Sequence, residues 1–201
     1  MYIPKRFAVD DRAALYERVR ANPFGLLVGE VDGSAFATHL PFLLDGDRLL
    51  LHFARGNPHW KVLDGITEML AVFSGPHAYV SPRWYQSAQA VPTWNYVAVH
   101  IYGAPRAMDE LSQVREMLDR LVWQYEEGGW SLDGQADDFV DRMIRGIAAF
   151  EMPIERIEGK FKLSQNRPVE DRRRVIETFE EPGRQQHTRL ARLMRTALDG
   201  E

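Results

Sequence analysis

From residue 24 to residue 103 the chain is a succession of short apolar runs, FGLLVGEV, SAFATHLPFLL, RLLLHFA, EMLAVFSG, HAYVS and TWNYVAVHIYG, cut apart by Asp-Gly, Gly-Asp and Gly-Pro pairs. Runs of this length, bounded by residues that favour tight turns, read as β-strands rather than helices. Asp32-Gly33 and Asp45-Gly46-Asp47 have the chemistry of hairpin turns. Closely spaced strands joined mostly by hairpins predict an antiparallel barrel and not a parallel sheet. Helical periodicity appears only around this block. Asp10 and Asp11 start a helix over 13–20 that Asn22-Pro23 stops. A second helix is predicted over 110–127, where Leu111, Val114, Leu118, Leu121, Val122 and Tyr125 recur at helical spacing before Gly128-Gly129. A shorter one follows over 138–147, then an extended stretch, AAFEMPIERIEGKFKLS, and two tail helices at about 168–181 and 187–198, with Pro168 suited to a first helical turn. The class is therefore mainly β with peripheral helices, an α+β arrangement.

Composition narrows the chemistry. The chain has no cysteine, which removes disulfides, thiolate nucleophiles and Cys-based metal sites. No apolar run approaches the length of a membrane span, and MYIPKRFAVDD lacks the apolar stretch of a signal peptide, so a cytoplasmic protein without a membrane partner is expected. The net charge of −4 argues against a surface that is basic all over. The tail nevertheless concentrates Lys160, Lys162, Arg167, Arg172, Arg173, Arg174, Arg184, Arg189, Arg192 and Arg195. A solvated helix face with local ion pairs such as Glu170 with Arg174 is the simpler reading, and a DNA-binding surface is the other. His39, His52, His59, His77, His100 and His187 fall in no metal-ligand pattern, and there is no P-loop, dinucleotide fingerprint or nucleophile elbow.

Four segments concentrate chemistry. In ARGNPHWK, residues 54–61, Asn57 can cap a helix with Pro58 at its first position, and the flanking Arg55 and Lys61 could neutralise a phosphate. A plain capped helix with two surface cations is the alternative. In VPTWNYVAVHIYG, residues 91–103, alternation gives one apolar face of Val97, Val99 and Ile101 and one aromatic face of Trp94, Tyr96, His100 and Tyr102. That second face suits a subunit interface, or an interface that also holds a flat ring with Thr93 and Asn95 at its rim. GPHAYVSPRWY, residues 75–85, reads as core or interface. EGKFKLSQNRP, residues 158–168, places Lys160 and Lys162 on one strand face, followed by Gln165 and Asn166, and could serve an anion, a flavin edge or a helix cap.

Together with MYIPKRF, THLPFLL and HFARGNPHWK, the segments FSGPHAYVSPRWY, VPTWNYVAVHIYG and EGKFKLSQNR occur in an order that resembles the PaiB family of FMN-binding negative transcriptional regulators, over residues 1–174. The resemblance implies an antiparallel split β-barrel over 1–165, with a helical insertion at about 109–148 and a C-terminal helical segment, 166–201, packed on it. It implies a homodimer with FMN at the subunit interface. Carried over residue by residue, Arg55, Asn57 and Lys61 would hold the phosphate, and Thr38 and His39 would approach the ring or ribityl chain. Thr93, Trp94 and Asn95 would border the isoalloxazine, with Lys162, Gln165 and Asn166 as a closing group. No catalytic residue is implied. The regulator reading extends to DNA contacts through the basic C-terminal helices, although no helix-turn-helix is evident. An FMN-dependent oxidoreductase, similar to flavin reductases or pyridoxamine-phosphate oxidases, is the competing expectation, and a haem-binding protein is the third.

Overall fold

The hairpin expected at Asp32-Gly33 forms in the computed structural model, which describes residues 1–126, 128–182 and 185–200, with 185 and 186 in their backbone alone. β2 (Phe24–Val31) pairs antiparallel with β3 (Ser34–Pro41) so that Val31 faces Ser34, leaving a two-residue loop. Both loop residues have positive φ, 51° at Asp32 and 75° at Gly33, the geometry of the primed turns whose twist matches that of paired strands.

The chain divides into two compact units. The first comprises 1–18, 74–99 and 158–201, and the second 19–73 and 100–157. In the first, the strand order is β1 (Ala8–Val9), β10 (Arg156–Lys162), β7 (Thr93–Gly103) and β6 (Met69–Val80). β6 and β7 continue along the chain into the second unit. On the first unit's strands pack α4 (Val169–Glu180) and α5 (Gln185–Asp199), through a core of Val80, Val97, Leu163, Ile176, Phe179, Leu190 and Met194. The tail helices are thus built around their own apolar stripes, as their spacing predicts.

In the second unit, β2 lies between β6 and β3, and a separate sheet runs β4 (Leu43–Asp45), β5 (Arg48–Ala54), β9 (Ile147–Pro153), β8 (Arg106–Ala107). α2 (Leu111–Tyr125) and α3 (Asp137–Arg145) cover that sheet with Val114, Met117, Leu121, Val140 and Ile144, against Leu43, Leu50 and Ala149. The β1–β10, β2–β3, β2–β6, β4–β5, β5–β9 and β8–β9 pairings are all antiparallel. Among the described residues no helix is long and apolar enough to cross a membrane.

Three local expectations need correction. SAFATHLPFLL is not one strand: it breaks at Phe42, whose N–H donates to the Pro23 carbonyl while its ring packs edge-on to Phe73 at 5.1 Å, and β3 and β4 join different sheets. Conversely, EMLAVFSG and HAYVS are a single strand, β6, that runs through Gly75-Pro76. A Cβ on Gly75 would approach Val97 Cβ to 2.9 Å, so glycine serves close strand packing there and not a turn. In α2, Leu111 and Tyr125 are exposed, and Met117 takes the core position instead. The expected end of that helix at Glu127, and the Gly183-Arg184 part of the connection between the tail helices, lie outside the described residues.

Candidate functional site

The 54–61 turn belongs to the second unit and is braced from below. Asn57 Oδ1 accepts the backbone N–H of His59 at 3.0 Å, which is the predicted cap. The element it caps is not the expected helix but one 3-10 turn, Pro58–Val62, so it offers no α-helix N-terminus to an anion. Asp64 ends it, accepting the N–H groups of Ile66 and Thr67 just beyond. Asn57 Nδ2 donates to Thr38 Oγ1 at 3.2 Å, and Thr38 Oγ1 meets His59 Nδ1 at 2.9 Å. Thr38, Asn57 and His59 therefore close a ring of three contacts between β3 and the turn. His59 is fully buried between Phe36 and Phe53, whose ring centroids lie 5.2 and 5.6 Å away, and burial lowers its pKa, so it is held neutral. The sequence named Thr38 and Asn57 but not His59. Its signal was an imidazole flanked by a capping Asn and a Trp, too common a pattern to single out.

Above this ring the turn presents charge. Arg55 Nε donates to the Arg145 carbonyl at 2.9 Å, its guanidinium lies 5.7 Å from the Trp60 ring, and Trp60 Nε1 donates back to the Arg55 carbonyl at 3.0 Å. Arg55 and Lys61 are both exposed, and a Cβ on Gly56, next to Arg55, would meet nothing within 4 Å. Two exposed cations beside an open, side-chain-free backbone are groups that a phosphate dianion can use. His39 is exposed and stacked with Phe24 at 5.9 Å, clear of the three-residue ring.

The remaining candidates lie in the first unit. Lys162 Nζ donates to Thr93 Oγ1 at 2.6 Å and to the Trp94 carbonyl at 2.5 Å. Its burial, with the charges of Lys160 and Arg167 added, lowers its pKa. Asn95 faces inward: it is 0 % exposed, and its amide donates to Ser164 Oγ and to Met194 Sδ while accepting from Ser164 Oγ. Gln165 folds back on its own strand end, accepting from Leu163 N and donating to the Phe161 carbonyl, both at 2.7 Å. Of this group, Trp94 and Asn166 are exposed. Trp94 is 54 % accessible and lies within 6.3 Å of the His77 ring and 6.1 Å of the Tyr79 ring. The inward turn of Asn95 was legible: it shares the parity of Val97, Val99 and Ile101 along β7.

The basic tail is partly occupied. Arg172 is buried, the Arg167 guanidinium lies 4.6 Å from the Tyr85 ring, and Arg195 pairs with Glu180 at 2.7 Å. Arg173, Arg174, Arg189 and Arg192 remain exposed.

A family described as "Putative FMN-binding domain" matches residues 1–156. The protease synthase and sporulation protein PAI 2 of Bacillus subtilis is 37% identical over 207 residues, 98% of each chain. An uncharacterized protein of Emericella nidulans is 27% identical over 242 residues, covering 97% of this chain and 96% of its own. Among solved structures, the flavocytochrome Anf3 of Azotobacter vinelandii superposes with a TM-score of 0.69 at 18% identity, over 90% of this chain and 79% of that one. A FAD and heme binding protein of Mycobacterium smegmatis gives 0.65 at 16% identity, over 82% and 78%. The fold is the antiparallel split β-barrel with peripheral helices.

Proposed function

The chain belongs to the FMN-binding family that matches its residues 1–156, and from that premise we propose that it is a cytoplasmic, homodimeric negative transcriptional regulator of the PaiB type whose effector is FMN. The observation that carries the reading is the 54–61 turn, where Arg55 and Lys61 stand exposed around an open Gly56 on a base that Thr38, Asn57 and His59 hold rigid. Arg55 and Lys61 bind the FMN phosphate, with Arg55 pre-oriented by Arg145 and Trp60, so little side-chain freedom is lost on binding. FMN itself supplies a redox-active isoalloxazine. Trp94 and Tyr79, both exposed, supply aromatic surface for pairing with a second copy. Lys162 Nζ bonds Thr93 Oγ1 and the Trp94 carbonyl beside that surface. The exposed arginines of α4 and α5 are the candidates for phosphate contacts with DNA.

Titration with FMN and with riboflavin, which lacks the phosphate, tests the site. Arg55→Ala and Lys61→Ala each weaken FMN by about tenfold or more and leave riboflavin unchanged, as expected for a charge-assisted contact. Equal binding of the two flavins by the unaltered protein would refute the phosphate assignment. A salt-dependent shift of upstream DNA by the dimer supports the regulator reading, and its absence at low salt with and without FMN removes direct repression. The likeness of fold to a flavocytochrome favours a second reading, flavin-dependent electron transfer. Bleaching of the bound flavin on anaerobic mixing with NADH or NADPH separates the two.

A further inference from the structure

α2 carries two adjacent stripes beside its core contacts, the first of which shares the buried Leu121 with the core. Leu118, Leu121, Val122 and Tyr125 form one at helical spacing, and Asp119, Trp123 and Glu126 form the next. Each stripe lines a cavity. The first, of about 330 Å³, is walled by Leu118, Leu121 and Tyr125 and also lined by His52. The second, of about 430 Å³, is lined by Asp119, Trp123 and Asp133. Val122, Glu126, Trp130 and Leu132 line both, so the two adjoin along α2 as a groove whose one part is apolar and whose other part is acidic and aromatic.

Its charge is one-sided. The last turn of α2 holds no basic residue, so the partial negative charge of the helix C-terminus is uncompensated there, and Glu126 adds a carboxylate at that end. Arg120, the cation lining the acidic end, is engaged by Asp45 at 2.8 Å. Asp133 is partly offset by Arg115 at 3.7 Å, whereas Asp119 and Glu126 have no ion-pair partner among the described residues. Trp123 is 85 % and Trp130 45 % exposed, a large aromatic surface to leave against water. At the apolar end, burial depresses the pKa of His52, so the imidazole adds no opposing positive charge, and its Nδ1 has no hydrogen-bond partner among the described residues.

We propose that this groove is a binding site for a small amphipathic organic cation, an alkyl or aryl ammonium whose tail lies along Leu118, Leu121 and Tyr125 and whose charged head meets Trp123, Trp130, Asp119 and Glu126. Tryptophan faces and carboxylates together attract ammonium groups with weakly held hydration, and the apolar end rewards a tail that a bare ammonium lacks. The site is separate in residues from the 54–61 turn, and the protein binds the cation with or without flavin.

The test uses the full-length protein, with intrinsic tryptophan fluorescence and calorimetry as readouts. Hexyltrimethylammonium is the probe, and hexanol, hexanoate and tetramethylammonium are its neutral, anionic and tail-less controls. The cation is expected to bind at least about tenfold more tightly than any control. Glu126→Gln and Asp119→Asn lower its affinity several-fold without moving that of hexanol, and Trp130→Ala weakens it further. These positions are at the surface, and an unchanged melting temperature together with unchanged FMN titration establishes that each variant is folded. Equal binding of hexyltrimethylammonium, hexanol and hexanoate overturns the proposal, as does no saturable binding of the cation. Loss of FMN binding in an otherwise folded protein bears on the turn alone and leaves this site standing.

Discussion

His59 is buried to its last atom, yet its Nε2 meets no hydrogen-bond partner among the described residues. Its depressed pKa means that the folded protein resists protonation there, whereas the unfolded chain takes the proton near the ordinary histidine value of 6.5. The stability this residue contributes is complete above that value and is lost as pH falls towards the folded pKa. His52 acts in the same direction. The expected outcome is a urea midpoint that declines between about pH 7 and pH 5, with a shallower decline in a folded His52→Gln variant. Asn95 makes a different case. It holds Ser164, whose φ of 67° is a left-handed conformation that serine seldom adopts. Asn95→Ala leaves that hydroxyl buried and unsatisfied and should cost about 1–3 kcal/mol, measured by denaturant unfolding. Both side chains were visible in the sequence, but their roles were legible to different degrees. Strand parity alone places Asn95 inside. The pairing of His59 with Thr38 needs two segments 21 residues apart to meet, and no local pattern carries that information.

The elements show where local chemistry suffices. β2, β5 and β7 have the limits their apolar runs suggest, because alternation and turn residues agree at both ends. Gly75-Pro76 has the look of a turn but lies within β6, where the close approach of Val97 overrides it. The turn after Asn57 shows the opposite failure: a correct cap does not make a long helix when Asp64 and Gly65 follow so soon. The start of α4 has a further role. Asp171, 1 % exposed, accepts from Gln86 N at 2.7 Å, Ser87 N at 3.1 Å and Ser87 Oγ at 2.6 Å, so the helix fixes the loop that leads into β7. Burial pushes this carboxyl up, and the Ser87 and Gln86 contacts outweigh it, leaving the pKa lowered and the group ionised. Asp171→Ala should cost about 2–3 kcal/mol, since bonds to an ionised group are among the stronger ones. Amide exchange over 86–90 would rise, and an unchanged exchange pattern would show that α4 does not hold the loop.

At the scale of the molecule, ligand binding and stability are one measurement. FMN at about 100 times its Kd should add roughly 2.7 kcal/mol and raise the Tm by about 5–10 °C for a chain of this size, with riboflavin giving less. A Tm indifferent to FMN would contradict a native-state site. The family could be recognised from whole segments because FSGPHAYVSPRWY, VPTWNYVAVH and GKFKLSQN are long and unusual in composition, whereas the insertion around α2 and α3 follows only a generic apolar stripe. The closed ring of Thr38, Asn57 and His59 also sets a limit on engineering. An octapeptide copied from 54–61 into another scaffold would arrive without the threonine that anchors it, so the turn can be transplanted only together with the strand that carries Thr38.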